Sequence, residues 1–424
     1  MTKNLLELVK KGEIAATGAQ PKLPTTIPNL TDNMLKVYRI PLSYLYFNDE
    51  NGRISTQMKR EGYQLTPQID EVDSTYNDKI ATFIAEDNQV ALKKTKTSIK
   101  EKGQQVYGYV LNDGRVIDGN RRFTALRQIQ KETETSQYFE AVILPFTYDA
   151  KAERAQIKRL ELSIQMGTEE KLTYDPVDLS VDIYQTIVED RIMTEADYAR
   201  EANMKPKEVK DRIKTVALMK DFLSFINASE DAYYIIKDVK LYNPIFELAK
   251  VFSKNFPDKG PKYEQTKNTA FVVLGKNVAT GSGDTVREIR EYSKNIIASS
   301  YNDDFNDSVE DVVDDFMDKM EETPVKDAAD FKAKLDRATV EIREVVEEYT
   351  TVSHRQNRGK TVDSFMSDIQ RLSKTLQDLK RGNGLTGNLH FNNFSKDQII
   401  EIRDLFVKIN MDSADLIEVY EDEI

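Results

Sequence analysis

The chain has 424 residues, of which 39% are hydrophobic and 31% are charged, and it contains no Cys. This length is too great for one core, so two to four domains are expected, and the absence of Cys excludes disulfides, thiolate zinc sites and thiol chemistry. The net charge of −12 opposes a uniformly basic surface, so any DNA-binding surface must be a local concentration of Lys and Arg.

Histidine chemistry and membrane insertion are not predicted. The two His, His354 and His390, lie far apart without acidic or His neighbours at ligand spacing, which disfavours a His-based metal site or a Ser-His-Asp triad. No apolar run approaches the roughly 18 residues of a transmembrane helix, and the N-terminus is too charged for a signal peptide. We therefore expect a cytoplasmic protein with no membrane partner.

Residues 1–34 are predicted to form an N-terminal arm. Residues 1–11 have the pattern of a short amphipathic helix, and Pro21, Pro24 and Pro28 indicate an extended segment rather than a packed element.

Residues 35–170 mix strand and helix patterns, which predicts an α+β domain. A strand is expected at 37–42, and a helix at 77–102 that ends at Gly103. Two strands at 106–111 and 115–117 flank the hairpin turn Asn112-Asp113-Gly114. A helix over 121–131 and a strand over 139–145 complete the unit.

The junction Asp118-Gly119-Asn120-Arg121-Arg122 is the clearest candidate site. A strand ends there, Gly119 permits a tight turn, and the first N–H groups of the following helix attract anions. Arg121 and Arg122 add guanidinium groups suited to phosphate. The alternative is a plain helix start with surface arginines paired to nearby Glu.

This junction and its neighbours resemble the N-terminal domain of ParB-like proteins, in the ParB/sulfiredoxin superfamily. The similarity comprises Ser98-Ile99, the turn Gly103-Gln104-Gln105, and the run from Asp113 to Ala125; it covers roughly residues 35–170 and, more loosely, 171–225. Sulfiredoxin chemistry is excluded because it requires a Cys.

The resemblance implies binding of a nucleoside triphosphate, CTP or ATP, with Mg²⁺. Gly119, Arg121 and Arg122 would hold the phosphates, and Gly103 and Gln104 would border the base or sugar. The full candidate set is Gly103, Gln104, Asp118, Gly119, Asn120, Arg121, Arg122 and Gln165.

The sequence departs from the family pattern in the positions that support metal binding. Asn120 stands where the family has Glu, and Thr124 where it has a third Arg. The family's Glu-Asn-x-Gln-Arg motif aligns with 162–166, where only Gln165 matches, with Glu161 displaced by one as the candidate metal ligand. The resemblance therefore assigns no catalytic residue and does not predict hydrolysis.

Residues 171–235 contain a predicted helix-turn-helix, the domain that follows the nucleotide domain in ParB-like proteins. Thr194 would cap the first helix, Asn203-Met204 would form the turn, and Pro206 would occupy the first turn of the second helix. The predicted DNA contacts are Lys205, Lys207, Lys210, Arg212 and Lys214. A plain helical hairpin is the alternative.

The remainder is predicted to be mostly α-helical. Residues 236–300 form a helical linker domain with loops at 254–261 and 275–283, and residues 301–424 an acidic helical region. Apolar residues at spacings of three and four over 331–349 and 365–379 indicate a short coiled-coil or bundle face. The resemblance to ParB-like proteins, which commonly dimerise at their C-terminus, implies a homodimer.

The leading hypothesis is a ParB-like DNA-binding protein of a plasmid, phage or other mobile element, with a nucleotide pocket as a switch and a role in partition, maintenance or regulation. One alternative is an enzyme on the same fold, an NTPase or a nuclease using Asp118, Glu161 and the arginines. Another is a defence or regulatory sensor that does not bind DNA, which the net acidity favours.

Overall fold

The structure is a computed structural model that describes residues 4–23, 34–48, 52–61, 75–146, 151–167, 175–280, 284–358, 362–382, 384–385 and 390–422. The chain is a mixed α+β protein whose described strands form one six-stranded sheet in the order β1-β2-β6-β4-β5-β3. The strands are β1 (Ala15–Ala16), β2 (Val37–Pro41), β3 (Tyr46–Phe47), β4 (Gly108–Leu111), β5 (Arg115–Asp118) and β6 (Tyr138–Leu144).

Helices flank this sheet and then make up most of the rest of the described chain. The helices around the sheet are α1 (Leu5–Lys10), α2 (Gly52–Arg60), α3 (Thr75–Asp87), α4 (Gln89–Lys102), α5 (Asn120–Thr133) and α6 (Lys151–Gly167). Those that follow are α7 (Pro176–Tyr184), α8 (Glu195–Glu201), α9 (Pro206–Phe225), α10 (Tyr233–Asp238), α11 (Tyr242–Asn255), α12 (Pro261–Thr280), α13 (Thr285–Tyr292), α14 (Asn302–Glu321), α15 (Ala328–Arg337), α16 (Thr339–Arg358), α17 (Val362–Arg381) and α18 (Lys396–Glu421).

The sheet is buried on both faces because its strands alternate apolar residues between two cores. On β6, Phe139 and Ile143 join the core under α3 and α5, whereas Val142 and Leu144 join the core under α6. Strand β6 pairs antiparallel with β2 and parallel with β4, and β5 returns antiparallel to β4. The hairpin turn predicted at 112–114 joins β4 to β5, as expected.

Residues 4–23 of the predicted arm pack onto the domain. Leu5 is fully buried, its N–H donates to the carbonyl of Asn112 at 2.8 Å, and β1 pairs with β2. Residues 24–33 of the predicted arm lie outside the described residues.

Two predicted elements are wrong in extent. The helix predicted over 77–102 is two helices, because Asn88 ends α3 and its side chain caps α4 by accepting from the N–H of Ala91. The loop predicted over 275–283 is helical up to Thr280. Gly275 lies within this helix, where a Cβ would approach the side chain of Leu335 to 2.9 Å. Gly275 thus permits close packing between helices rather than a turn.

Residues of all three predicted helical segments share one hydrophobic core. It runs from Val177 on α7 to Val352 on α16, and the predicted boundaries at 235 and 300 fall inside it. The predicted apolar run over 331–349 is divided between α15 and α16. The chain divides by compactness into 1–352 and 353–424, and no described helix is both long and apolar enough to cross a membrane.

Candidate functional site

The turn between β5 and α5 has the backbone geometry that the sequence predicted. Gly119 is the residue before α5 and has a φ of 96°, in the left-handed region that glycine adopts without strain. A Cβ at this position would approach the ring of Phe139 to 2.8 Å. No side chain caps α5, so the first N–H groups of α5 lack the side-chain acceptor that most helices provide.

Arg122 stabilises this turn from within the protein. Its Nη1 donates to the carbonyls of Val106 and Tyr107 at 2.6 and 2.7 Å, and its Nη2 donates to Oδ2 of Asp118 at 2.7 Å. The guanidinium therefore ties the residues before β4 to the end of β5 and to α5. Three of its five donors are used in this way.

Gln104 belongs to the same network. Its amide nitrogen donates to the carbonyls of Val106 and Glu140, at 2.9 and 2.7 Å, and its amide oxygen accepts from the N–H of Glu140 at 2.9 Å. Val106 thus accepts from both Gln104 and Arg122. Gly103, the exposed residue that ends α4, has a φ of 73° and donates its N–H to the carbonyl of Ile99. The structure brings Gln104, Asp118, Gly119 and Arg122 close together: Arg122 bonds Asp118 directly, and Gln104 and Arg122 both donate to the carbonyl of Val106.

Arg121 lies beside a different feature, a cleft of about 610 Å³. The cleft lies where the helices next to the sheet meet α7 and α10 of the helical part. Its lining residues are Thr56, Gln57, Arg60, Glu86, Asp87, Asn88, Arg121, Asp175, Pro176, Asp178, Tyr234, Lys237 and Asp238. Next to Arg121, the Oδ1 atom of Asn120 is buried and has no hydrogen-bond partner.

Asp178 lies at the base of the cleft and bonds two other residues that line it. The carboxylate is 2% exposed and accepts from the hydroxyl of Thr56 at 2.7 Å and from the ammonium of Lys237 at 2.8 Å. Burial raises the pKa of the Asp178 carboxyl, while the hydrogen bond and charge of Lys237 and the hydrogen bond of Thr56 lower it. The charged form of Asp178 thus depends on both partners.

Sequence reasoning missed most of the cleft. Thr56 and Asp178 are 122 residues apart in the chain, and neither belongs to a motif. Asp175 caps α7 by accepting from the N–H of Val177, and Pro176 occupies the first turn of the helix. Nothing in that local pattern indicates that α2 and α10 pack beside it.

The candidate metal ligand Glu161 lies away from this cleft, on α6. It is 4% exposed and its carboxylate is 3.5 Å from the ammonium of Lys158, which also contacts Asp182 on α7 at 2.5 Å. This arrangement joins α6 to α7. The described residues contain no group of three or more His, Cys, Asp or Glu side chains that could hold a metal ion. Gln165 lies further along α6, and its side chain is outside the described part of the chain.

Helices α8 and α9 form the predicted helical pair. Thr194 caps α8 by accepting from the N–H of Asp197, Asn203 has a φ of 51° in the turn, and Pro206 begins α9. Tyr198 and Val209 are fully buried between the two helices.

The predicted DNA contacts fall into two groups. Lys205, Lys207, Lys210 and Lys214 are exposed, with Lys210 lying 3.6 Å from the carboxylate of Glu195. Arg212 instead faces the protein. Its guanidinium donates to the hydroxyls of Ser180 on α7 and Tyr242 on α11 at 3.1 and 3.0 Å, and to Glu208.

No protein-family model and no curated protein sequence matches the chain. Among solved structures, it is similar to the C-terminally truncated chromosome-partitioning protein ParB from Caulobacter crescentus, complexed with CTP-gamma-S. The two share 13% identity over 50% of this chain and 97% of that chain, with a TM-score of 0.18. So low a TM-score carries no argument about fold or function, and the ParB-like assignment stays a prediction from the sequence motifs.

The contacts of Arg122 predict a structural role for this residue. Arg122→Ala should lower the free energy of unfolding by about 1.5–3 kcal/mol, because two carbonyls and a carboxylate lose a charged donor. Urea denaturation of the full chain measures this change. Lys131→Ala, at an exposed position on the same helix, is the control and should change stability by no more than about 0.5 kcal/mol. Equal stability of Arg122→Ala and Lys131→Ala would contradict the role.

Proposed function

We propose that this protein binds a nucleoside triphosphate as its Mg²⁺ complex in the cleft beside Arg121, and that the nucleotide regulates DNA binding by α8 and α9. The observation that carries the proposal is the N-terminus of α5, which follows a left-handed glycine, has no side-chain cap, and places Arg121 in a cleft of about 610 Å³. That volume is within the range of small-molecule sites, about 300–1,000 Å³.

The helix start supplies the phosphate-binding part of the site. Backbone N–H groups and the helix dipole favour an anion at this position, and the guanidinium of Arg121 adds a planar donor group. Arg122 contributes indirectly, since its bonds to Val106, Tyr107 and Asp118 hold the turn in shape.

The charges of the cleft favour a metal complex over the free nucleotide. Three cations, Arg60, Arg121 and Lys237, face the five carboxylates of Glu86, Asp87, Asp175, Asp178 and Asp238. A free triphosphate would be repelled by this excess of negative charge. Mg²⁺ needs only one or two carboxylates in addition to phosphate oxygens and water. Bound Mg²⁺ would therefore lie between the carboxylates of the cleft and the triphosphate and neutralise part of the negative charge of both.

Contacts of α7 connect the cleft to α9, the second helix of the predicted helix-turn-helix. Asp178 at the base of the cleft is two residues from Ser180, whose hydroxyl lies 2.6 Å from that of Tyr242. Both hydroxyls accept from Arg212 on α9. A ligand that shifts α7 would therefore alter the contacts that position α9.

The exposed lysines of α9 support the DNA part of the proposal. Lys205 and Lys207 at the start of α9, and Lys214 about two turns further along it, are exposed and have no ion pair among the described contacts. Arg212 is not included, because its guanidinium bonds Ser180, Tyr242 and Glu208. Local positive charge in an acidic chain is the form that DNA contacts would need here.

Nucleotide binding is tested by isothermal titration of the full chain with CTP, ATP and GTP, each with and without Mg²⁺. At least one should bind with Mg²⁺ and far more weakly without it. Arg121→Ala should lower the affinity by about tenfold or more, a loss of roughly 1.4 kcal/mol. Arg127→Ala is the matched control, because Arg127 lies on the same helix but bonds Asp78. Binding of none of the three nucleotides, or equal losses in both variants, would refute the site.

DNA binding is tested by the salt dependence of affinity. Replacing Lys205, Lys207 and Lys214 together by Ala should reduce the slope of log K against log salt by about 0.9 for each phosphate that the protein no longer neutralises. The charge-matched control replaces the exposed Lys254, Lys294 and Lys332 and should leave the slope unchanged. If the wild type binds a nucleotide but no DNA at low salt, the sensor alternative replaces this part of the proposal.

Coupling between the two ligands is tested with Ser180→Ala, which removes one hydroxyl from the Arg212 contacts. In the wild type, the Mg²⁺-nucleotide should change the Kd for DNA by about fivefold or more, the lower end of typical allosteric couplings. Ser180→Ala should move this ratio towards one, whereas Ser308→Ala, at an exposed position of α14, should not. An unchanged ratio in Ser180→Ala would exclude the route through α7.

A further inference from the structure

Tyr234 on α10 is the one aromatic side chain among the described residues that line the cleft beside Arg121. Apart from Pro176, every other lining residue has a charge, an amide or a hydroxyl in its side chain. A flat aromatic ligand group packs favourably on an aromatic ring, whereas covering polar groups without giving them partners is unfavourable. Tyr234 is therefore the part of the cleft best suited to an aromatic group.

The side chain of Tyr234 is anchored at its hydroxyl. The hydroxyl donates to the carbonyl of Lys326 at 2.9 Å, and Lys326 does not line the cleft. Burial raises the pKa of Tyr234 above its usual range, so the phenol stays protonated near neutral pH. Because its proton is used in this hydrogen bond, the ring is the part of Tyr234 that a ligand would contact.

A guanidinium lies beside this ring. The guanidinium carbon of Arg60 on α2 is 5.8 Å from the centroid of the Tyr234 ring, which is a cation–π contact. The carboxylate of Asp238 lies 3.4 Å from Nη1 of Arg60 and helps to hold it there. Aromatic rings and guanidinium planes are the two protein surfaces on which nucleobases commonly stack. Arg60 and Tyr234 place one of each in the cleft.

The cleft thus has different chemistry at its two contributing helices. Arg121 on α5 offers a charged donor group next to an uncapped helix start, and Tyr234 on α10 offers an aromatic ring. A nucleotide has a phosphate end and an aromatic end, so one molecule would contact both helices. Inorganic triphosphate has the same phosphates but lacks the group that would contact α10.

We propose that Tyr234, with Arg60 against its ring, binds the base of the nucleotide while Arg121 and the start of α5 bind its phosphates. This inference rests on the proposed nucleotide site and names the part of that site that holds the base. Gly103 and Gln104, to which the family resemblance assigns the base or sugar, do not line the cleft. The amide of Gln104 is instead bonded to Val106 and Glu140.

The test compares two ligands by isothermal titration of the full chain in Mg²⁺: inorganic tripolyphosphate, and whichever of CTP, ATP and GTP binds the wild type most tightly. Tyr234→Ala should raise the Kd for the nucleotide about tenfold, a loss of roughly 1.4 kcal/mol. It should leave the Kd for tripolyphosphate within about twofold of the wild-type value. Tyr234→Phe keeps the ring and should bind the nucleotide within about threefold of the wild type.

Tyr138→Ala is the matched control. Tyr138 is 41% exposed and has the guanidinium of Arg39 at 4.8 Å from its ring centroid, so it reproduces the Arg–Tyr pair outside the cleft. This variant should change neither dissociation constant.

The two proposals fail in different ways. A wild type that binds no nucleotide refutes the site itself and the base assignment with it. If the wild type binds the nucleotide and Tyr234→Ala binds it equally well, only the base assignment is overturned. A parallel loss of tripolyphosphate affinity in Tyr234→Ala would also overturn the assignment, because Tyr234 would then act on the shape of the whole cleft.

Discussion

The hydrogen bonds of the buried Asp178 carboxylate join the part of the chain that contains the sheet to the helices that follow it. The carboxylate accepts from Thr56 on α2 and Lys237 on α10 while belonging to α7. A charge buried to this extent is stable only when it is paired and hydrogen-bonded, and removing one partner costs more than the pair itself contributes. These contacts fix the position of α7 relative to α2, which lies beside the sheet, and to α10. They also set the base of the cleft, so its shape and the packing of α7 cannot vary independently.

The two adjacent arginines show that a sequence motif can predict a turn correctly without predicting what each of its side chains contacts. Gly119 and the helix after it were predictable, because only a few residue types fit a left-handed position before a helix. Arg121 and Arg122 look equivalent in the sequence, yet successive side chains on a helix point about 100° apart. Arg122 is directed to the carbonyls of Val106 and Tyr107, whereas Arg121 is directed to the cleft. Tertiary packing therefore decides that Arg122 bonds the backbone while Arg121 lines the cleft.

The difference between contacts within a short segment and tertiary packing also explains which elements the sequence predicted well. The hairpin at 112–114, the cap at Thr194 and the start of α9 at Pro206 depend on neighbouring residues, and the structure contains all of them. The break at Asn88 was missed because both flanking helices keep apolar spacing across it. The helical course through Gly275 was missed because Gly indicates a turn unless its packing against Leu335 is known. The cleft could not be predicted from the sequence, because its residues come from helices that are distant in the chain.

The charge distribution of the chain limits what the exposed lysines of α9 would contact. Lys205, Lys207 and Lys214 carry local positive charge in a protein of net charge −12, and phosphate contacts contribute affinity in proportion to their number. Three lysines supply few such contacts, so DNA binding through this surface alone would be weak and would fall steeply with salt. Such a surface favours selectivity over raw affinity, because the negative charge of the rest of the chain repels nucleic acid that the lysines do not engage.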